Sequence, residues 1–256
     1  MGKNLYTEKF YDYYYRSTSA LSAQKIFPLI KEYLVFDSVV DVGCGVGEWL
    51  KVCQEMGSSR ILGIDGVYVN QEQLAVPKHC FHPSDISLPL NLVEKPFDLV
   101  ISVEVAEHID CSKVDTYLEN LVHLGEVILF SAAIPWQGGV HHVNEQWPSY
   151  WVEQFALKGY IPVDCLREKI WNDEDICPHY RQNLMFFIKE TSIERYNALK
   201  NEIAMGKSRV LDLVHPEYYK RLNDVKKMSF KWTLSQFLKF LSALFPTFLR
   251  AVRKRI

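Results

Sequence analysis

Residues 39–49 read VVDVGCGVGEW. A short β-branched run, Val39–Val42, ends directly in Gly43, Gly45 and Gly47, and residues 47–56 follow with helical spacing. Glycines at a strand-to-helix turn let the backbone bend sharply and approach a ligand closely, where a helix N-terminus offers unpaired N–H groups. The spacing is G-x-G-x-G. It is not the G-x-G-x-x-G of dinucleotide binders, and no Lys-Ser/Thr follows as a phosphate-binding P-loop requires. Neither a pyrophosphate nor a nucleoside triphosphate is the natural ligand of this loop.

Outward from the loop, strand-like and helix-like stretches alternate. Ala20, Ala23, Ile26, Phe27, Ile30 and Leu34 recur at helical spacing before the first strand. Further short apolar runs are Ile61–Ile64, Phe97–Val103, Val127–Phe130 and Leu184–Ile188, and a helix ends at Phe155–Lys158 before Gly159. This cadence predicts βαβ units: an α/β fold with a doubly wound, mostly parallel sheet covered on both faces. After about residue 190 the alternation stops. The expected organisation is a helical lead-in over 1–35, a ligand-binding domain over 36–190, and a helical C-terminal extension over 191–256.

Three further motifs follow the glycine loop in order: GIDG at 63–66, PSDIS at 83–87 and FDLVISVEVAEH at 97–108. Together with VVDVGCGVGEW they resemble the Rossmann-like S-adenosylmethionine (SAM)-dependent methyltransferases over roughly residues 36–190. The resemblance implies that Gly43, Gly45 and Gly47 lie under the methionine part of the cofactor, with Asp41 helping to hold that end. It implies that Asp65 holds the ribose hydroxyls, and that Asp85, with Ile86 beside it, faces the adenine.

Glu104, Glu107 and His108 stand at i, i+3 and i+4 after the third apolar run, and a helix starting there would put them on one face. After the Val127–Phe130 run comes the loop IPWQGGVHHVNEQW at 134–147. Both segments leave carboxyl ends of strands, where ligands bind in doubly wound sheets, so His141 or His142 can meet the first group. Two carboxylates and two imidazoles make a divalent-metal site, with Mg, Mn, Fe and Zn all open. The chemistry supplies a motive: a sugar hydroxyl is a poor nucleophile, and a metal lowers its pKa and directs it at the methyl group. The arrangement is similar to the E-x-x-E-H plus downstream His of the small-RNA 3′-terminal 2′-O-methyltransferases and the ubiquinone-pathway O-methyltransferases. By that similarity Glu104, Glu107, His108 and His142 are the ligands, with Glu145 three residues after His142. Two alternatives stand beside this one. Glu104 can touch the cofactor while His108 serves as a metal-free base or caps a helix, His142 being the general base; or the group is structural.

For the acceptor, Trp136, His141, Glu145 and Arg181 are the candidate contacts. Trp136 offers a face for a sugar or a base, Arg181 a charge for an anionic group, and Gly138 and Gly139 would let the loop move as a lid. The stretch from the Tyr-rich start through the 134–151 loop to YRQN at 180–183 resembles bacterial methyltransferases of surface-polysaccharide and sugar modification. The resemblance implies O-methylation of a sugar hydroxyl on a glycan or lipid-linked glycan. Rival readings are a 2′-O-methyltransferase of RNA ends and a catalytically silent SAM-binding scaffold.

Composition bears on partners. The chain of 256 residues is 48% hydrophobic and 23% charged, which excludes collagen-like and wholly disordered classes. Its net charge of -2 is uneven: Lys226–Ile256 holds 8 Lys/Arg and no Asp or Glu, leaving -10 on residues 1–225. The acidic body disfavours nucleic acid, whose phosphates need a basic groove. Residues 230–256 combine a broad Phe/Leu/Trp face with a basic end, too short in their uncharged part to span a bilayer and suited to a membrane surface, an oligomer contact or the protein's own body. Six scattered cysteines without a C-x-x-C pair, and a start (MGKNLYTEKF) without an apolar signal core, predict free thiols and a cytoplasmic protein, peripheral on the inner membrane face if the tail docks there.

Overall fold

The computed structural model describes residues 13–92, 95–206 and 210–220. The strands are β1 (Ser38–Val42), β2 (Arg60–Asp65), β3 (Phe81–Pro83), β4 (Leu99–Val103), β5 (Val127–Ser131), β6 (Tyr160–Val163) and β7 (Met185–Lys189). The helices are α1 (Tyr13–Lys31), α2 (Glu48–Glu55), α3 (Val114–Leu124), α4 (Pro148–Ala156), α5 (Arg167–Ile170), α6 (Pro178–Asn183) and α7 (Asn197–Gly206). The strands form one sheet in the order β3-β2-β1-β4-β5-β7-β6. The first five are parallel neighbours, and β7 runs antiparallel between β5 and β6. This is the doubly wound, mostly parallel sheet expected from the alternation.

Side-chain alternation along the strands divides the core in two. Val39, Leu99, Ile101, Leu129 and Phe186 face Phe27 and Ile30 of α1 and Trp49 and Leu50 of α2. Val40, Val42, Val100, Ile128 and Phe187 face Leu118 and Leu121 of α3 and Trp151 and Phe155 of α4. Every residue of β1 and β5 is buried, which is why neither alternates apolar with polar residues as a half-exposed strand does. Two strands escape the sequence pattern for physical reasons. In β3 only Phe81 of three residues is buried, and β6 lies at the sheet edge with Pro162 in it.

The chain order reverses between β1 and β4, so the loops after their carboxyl ends diverge and leave a crevice between them. The glycine loop follows β1, Asp65 ends β2, and Glu104 follows β4. The chain divides into two compact units, Met1–Leu213 and Val214–Ile256. Leu199 of α7 is fully buried in the core of the first unit. No helix among the described residues is long and apolar enough to cross a membrane. The amphipathic segment 230–256 lies outside the described residues.

Candidate active site

Gly43, Gly45 and Gly47 all adopt positive φ (86°, 55° and 86°). Gly43 is confined as well as left-handed: a Cβ there would lie 2.4 Å from a methyl of Val105, so the β1 and β4 loops can approach only with glycine. Gly47 caps the N-terminus of α2. The loop is fastened by Asp65, whose Oδ2 accepts from the Gly45 N–H at 2.7 Å and whose Oδ1 accepts from the Gly66 N–H at 2.6 Å and from the Tyr68 hydroxyl. Burial pushes the Asp65 carboxyl up, against the pull of these donors.

A cavity of about 690 Å³ opens at this point, within the size range of small-molecule and cofactor sites. Asp41, Gly43, Gly45, Asp65, Asp85 and Ile86 line it and Gly47 does not, so all but one of the residues expected to hold SAM meet around one space. Asp85 stands exposed at the rim, its Oδ1 accepting from the Ser87 N–H (3.0 Å) and hydroxyl (2.7 Å). Asp41 is buried (3% exposed), and burial, then the charge of Asp65, hold its carboxyl well above the usual carboxylate range. The stability that Asp41 contributes is therefore present below that range and is lost as pH rises through its raised pKa. Asp41→Asn, isosteric and uncharged, should raise the thermal midpoint of the free protein at pH 7 more than at pH 4; thermal unfolding at the two pH values measures this.

On the other side of the cavity the chain departs from the expected helix. Glu104 adopts φ 54°, a conformation costing a non-glycine residue about 1–3 kcal/mol. A 3-10 turn, Ala106–His108, follows in place of an α-helix. Glu104, Glu107 and His108 consequently do not share one α-helical face. Glu107 turns inward (1% exposed) and His108 borders the cavity. The 134–147 loop closes over them, with Val143 and Asn144 donating their N–H groups to the Glu107 carbonyl at 2.9 and 3.0 Å.

Glu107, His108 and His142 then offer one ligand atom each, all within 4.8 Å of one another. The His108 and His142 rings meet edge to face with centroids 4.9 Å apart. His108 Nδ1 bonds the His141 carbonyl at 3.2 Å, and His142 Nδ1 bonds Glu145 Oε1 at 2.8 Å. Partners that only accept place a proton on Nδ1 of each ring, so that in a neutral ring Nε2 is the lone-pair nitrogen. Burial, then the neighbouring His142, lowers the His108 pKa and favours the neutral ring. Burial, then the charge of Glu104, pushes the Glu107 carboxyl well up, and its Oε2 has no hydrogen-bond partner. Gly139 permits the packing: a Cβ there would lie 2.1 Å from His142 Nε2.

Glu104 stands outside this trio. Its Oε2 accepts from Gln137 Nε2 at 2.7 Å and its Oε1 from Asn183 Nδ2 at 3.2 Å. The candidate substrate residues separate. His141 lines the cavity with positive φ (61°). Glu145 is engaged in holding the loop: its oxygens accept from the Trp136 N–H (2.8 Å), the Gly138 N–H (2.9 Å) and His142. Trp136 projects into solvent (78% exposed), and Arg181 is buried (3%) with Nη1 on the Trp171 carbonyl, so neither borders the cavity. Tyr68, Gln137 and Asn183 join the site without having been singled out. Nothing local distinguishes Tyr68, whereas Gln137 and Asn183 fall in the two stretches already marked, the glycine-bearing loop and YRQN.

Residues 13–154 match the family described as "Methyltransferase domain", more than half of the chain. The chain belongs to the methyltransferase domain family. SAM is accordingly the cofactor of this methyltransferase. No curated protein sequence matches the methyltransferase. Among solved structures it resembles the methyltransferase domain of bacterial CtHen1-C at 16% identity, covering 67% of this chain and 98% of that one with a TM-score of 0.50, a likeness of fold. It is also similar to a SAM-dependent methyltransferase from Clostridium acetobutylicum (21% identity, 46% of this chain, TM-score 0.37), of whose length it spans only 51%. A third is the magnesium protoporphyrin IX methyltransferase of Synechocystis with bound SAH (S-adenosylhomocysteine), at 13% identity, 74% and 90% coverage and a TM-score of 0.49.

Proposed function

We propose that this methyltransferase transfers the SAM methyl group to a sugar hydroxyl of a glycan or lipid-linked glycan, assisted by a divalent cation held by Glu107, His108 and His142. The observation that carries the metal part is Glu107 Oε2, a buried carboxylate oxygen without a partner beside two imidazoles whose Nδ1 protons point away. An unsatisfied buried carboxylate is costly, and a cation is the ligand that satisfies it. One carboxylate and two imidazoles suit Mn, Fe or Zn better than Mg, which prefers all-oxygen shells. Bound there, the cation would supply Lewis acidity to an acceptor hydroxyl.

The chain's own residues do the rest. Asp65 and Asp85 anchor the nucleoside, the glycine loop seats the methionine end, and Asp41 offers a carboxylate to the cofactor's cationic part. Val103, Val105 and Ile109 keep the β4 side of the cavity apolar, which strengthens each polar contact inside it. The acidic body supports a neutral acceptor over a polyanion. Labelled SAM with a panel of methyl glycosides and lipid-linked sugars tests the reading. Transfer to sugar hydroxyls that ceases in EDTA is expected; transfer only to RNA 3′ ends would replace the acceptor, and full turnover in excess EDTA would remove the metal.

We further propose that segment 230–256 docks on an anionic membrane surface, which its basic end suits. Deletion of these residues should abolish co-sedimentation with anionic liposomes while SAH binding persists; undiminished co-sedimentation would end the membrane role.

A further inference from the structure

Once Nε2 of His108 and of His142 is assigned to a cation, neither ring can take the acceptor's proton, because Nδ1 of each is already a donor. A proton acceptor is then missing from the reading above. Glu104 lines the cavity next to His108, yet it is not part of the metal-competent trio. Its carboxylate is gripped from behind by Gln137 Nε2 and Asn183 Nδ2. Those amides are themselves oriented: Gln137 Oε1 accepts from Asn183 Nδ2 (2.9 Å), Gln182 Nε2 (3.2 Å) and the Ile134 N–H (3.3 Å). Gln182 and Asn183 are buried at 0% and 3% exposure, so the cradle is fixed. Two neutral amide donors occupy one lone pair on each Glu104 oxygen and leave the others for hydroxyl donors. The backbone supports the same placement: the Glu104 N–H donates to the carbonyl (3.0 Å) and hydroxyl (3.1 Å) of Ser131, holding the strained φ at the mouth of β4.

We infer that Glu104 stands outside the metal set and receives the acceptor hydroxyl, with Gln137 and Asn183 as its positioning residues. The inference rests on the metal-assisted reading and assigns it a base. In the transfer step the acceptor oxygen bonds to the methyl carbon as the carbon–sulfur bond breaks. That bond's electron pair goes to sulfur, giving S-adenosylhomocysteine, and the hydroxyl proton passes to Glu104. A general base is worth about 10²–10⁴-fold in rate.

The test has two arms on the full chain. In the first, Mn2+ alone is titrated calorimetrically and by EPR. Glu104→Gln should keep Mn2+ affinity within about twofold, whereas Glu107→Gln should lose at least about tenfold. In the second, labelled methyl transfer to methyl glycosides should fall at least about a hundredfold in kcat for Glu104→Gln, with KM for SAM unchanged. Should Glu104→Gln fail to fold, Asn183→Ala, which leaves every metal-side group in place, is expected to lower kcat at least about tenfold with Mn2+ affinity intact. Loss of Mn2+ binding in Glu104→Gln, or undiminished transfer by it, overturns the inference alone. Wild type that binds no Mn2+, or transfers to no glycoside, overturns the reading beneath it and the inference with it.

Discussion

Asp65→Ala should weaken SAH binding by at least about a hundredfold: one lone pair on Oδ2 is left for a ribose hydroxyl, a charge-assisted hydrogen bond of about 1.5–3 kcal/mol, and a second opens where the diol displaces the Tyr68 hydroxyl from Oδ1. The geometry makes the effect compound. Asp65 faces the cavity and also ties the Gly45 and Gly66 N–H groups together. Alanine removes the diol's acceptor and releases the loop under the methionine end in one change. Asp65→Asn separates the two roles, since one amide oxygen can still serve a single backbone donor. Isothermal calorimetry with SAH on the folded variants reads the result, and an affinity for Asp65→Ala within about threefold of wild type would contradict the assignment.

Glu107→Gln should abolish divalent-cation dependence and reduce methyl transfer by roughly a thousandfold, about 4 kcal/mol of transition-state stabilisation. Glutamine keeps the shape of the side chain and removes the charge that a cation needs. The free variant is not expected to be less stable. Burial disfavours the ionised Glu107 carboxyl, so its contribution to folding is present below the ordinary carboxylate range and fades as pH rises through its raised pKa. At neutral pH without metal, Glu107→Gln should therefore unfold no lower than wild type. With Mn2+ present the order reverses, because only wild type gains binding energy from the ion. Thermal unfolding in EDTA and in Mn2+ measures both; a wild type indifferent to Mn2+ would count against the site.

The sheet was legible because its decisive strands are buried on both faces: β1, β4 and β5 read as apolar runs, each ending where a ligand loop begins. The glycine loop and Asp65 were legible for a related reason, since positive φ and an acidic strand end leave marks at fixed positions. The edge strands were not, as β3 buries a single side chain and β6 carries a proline. Helical spacing misled at Glu104–His108. The i, i+3, i+4 register suggested one face, but the left-handed Glu104 and the 3-10 turn after it send Glu104 and Glu107 to different partners. Residue type alone could not tell a ligand from its support. Glu145 staples the loop that carries His142, and Arg181 is spent on a backbone carbonyl; both facts depend on contacts between segments far apart in sequence.

Crystals grown with SAH and Mn2+, with diffraction collected for the anomalous signal of manganese, test the central claim most directly. The account predicts the nucleoside ribose on Asp65, the methionine end along Gly43–Gly47, and one anomalous peak ligated by Glu107, His108 and His142 with Glu104 still held by Gln137 and Asn183. SAH bound away from the glycine loop, or an SAH complex in saturating Mn2+ without an anomalous peak at that trio, would contradict it.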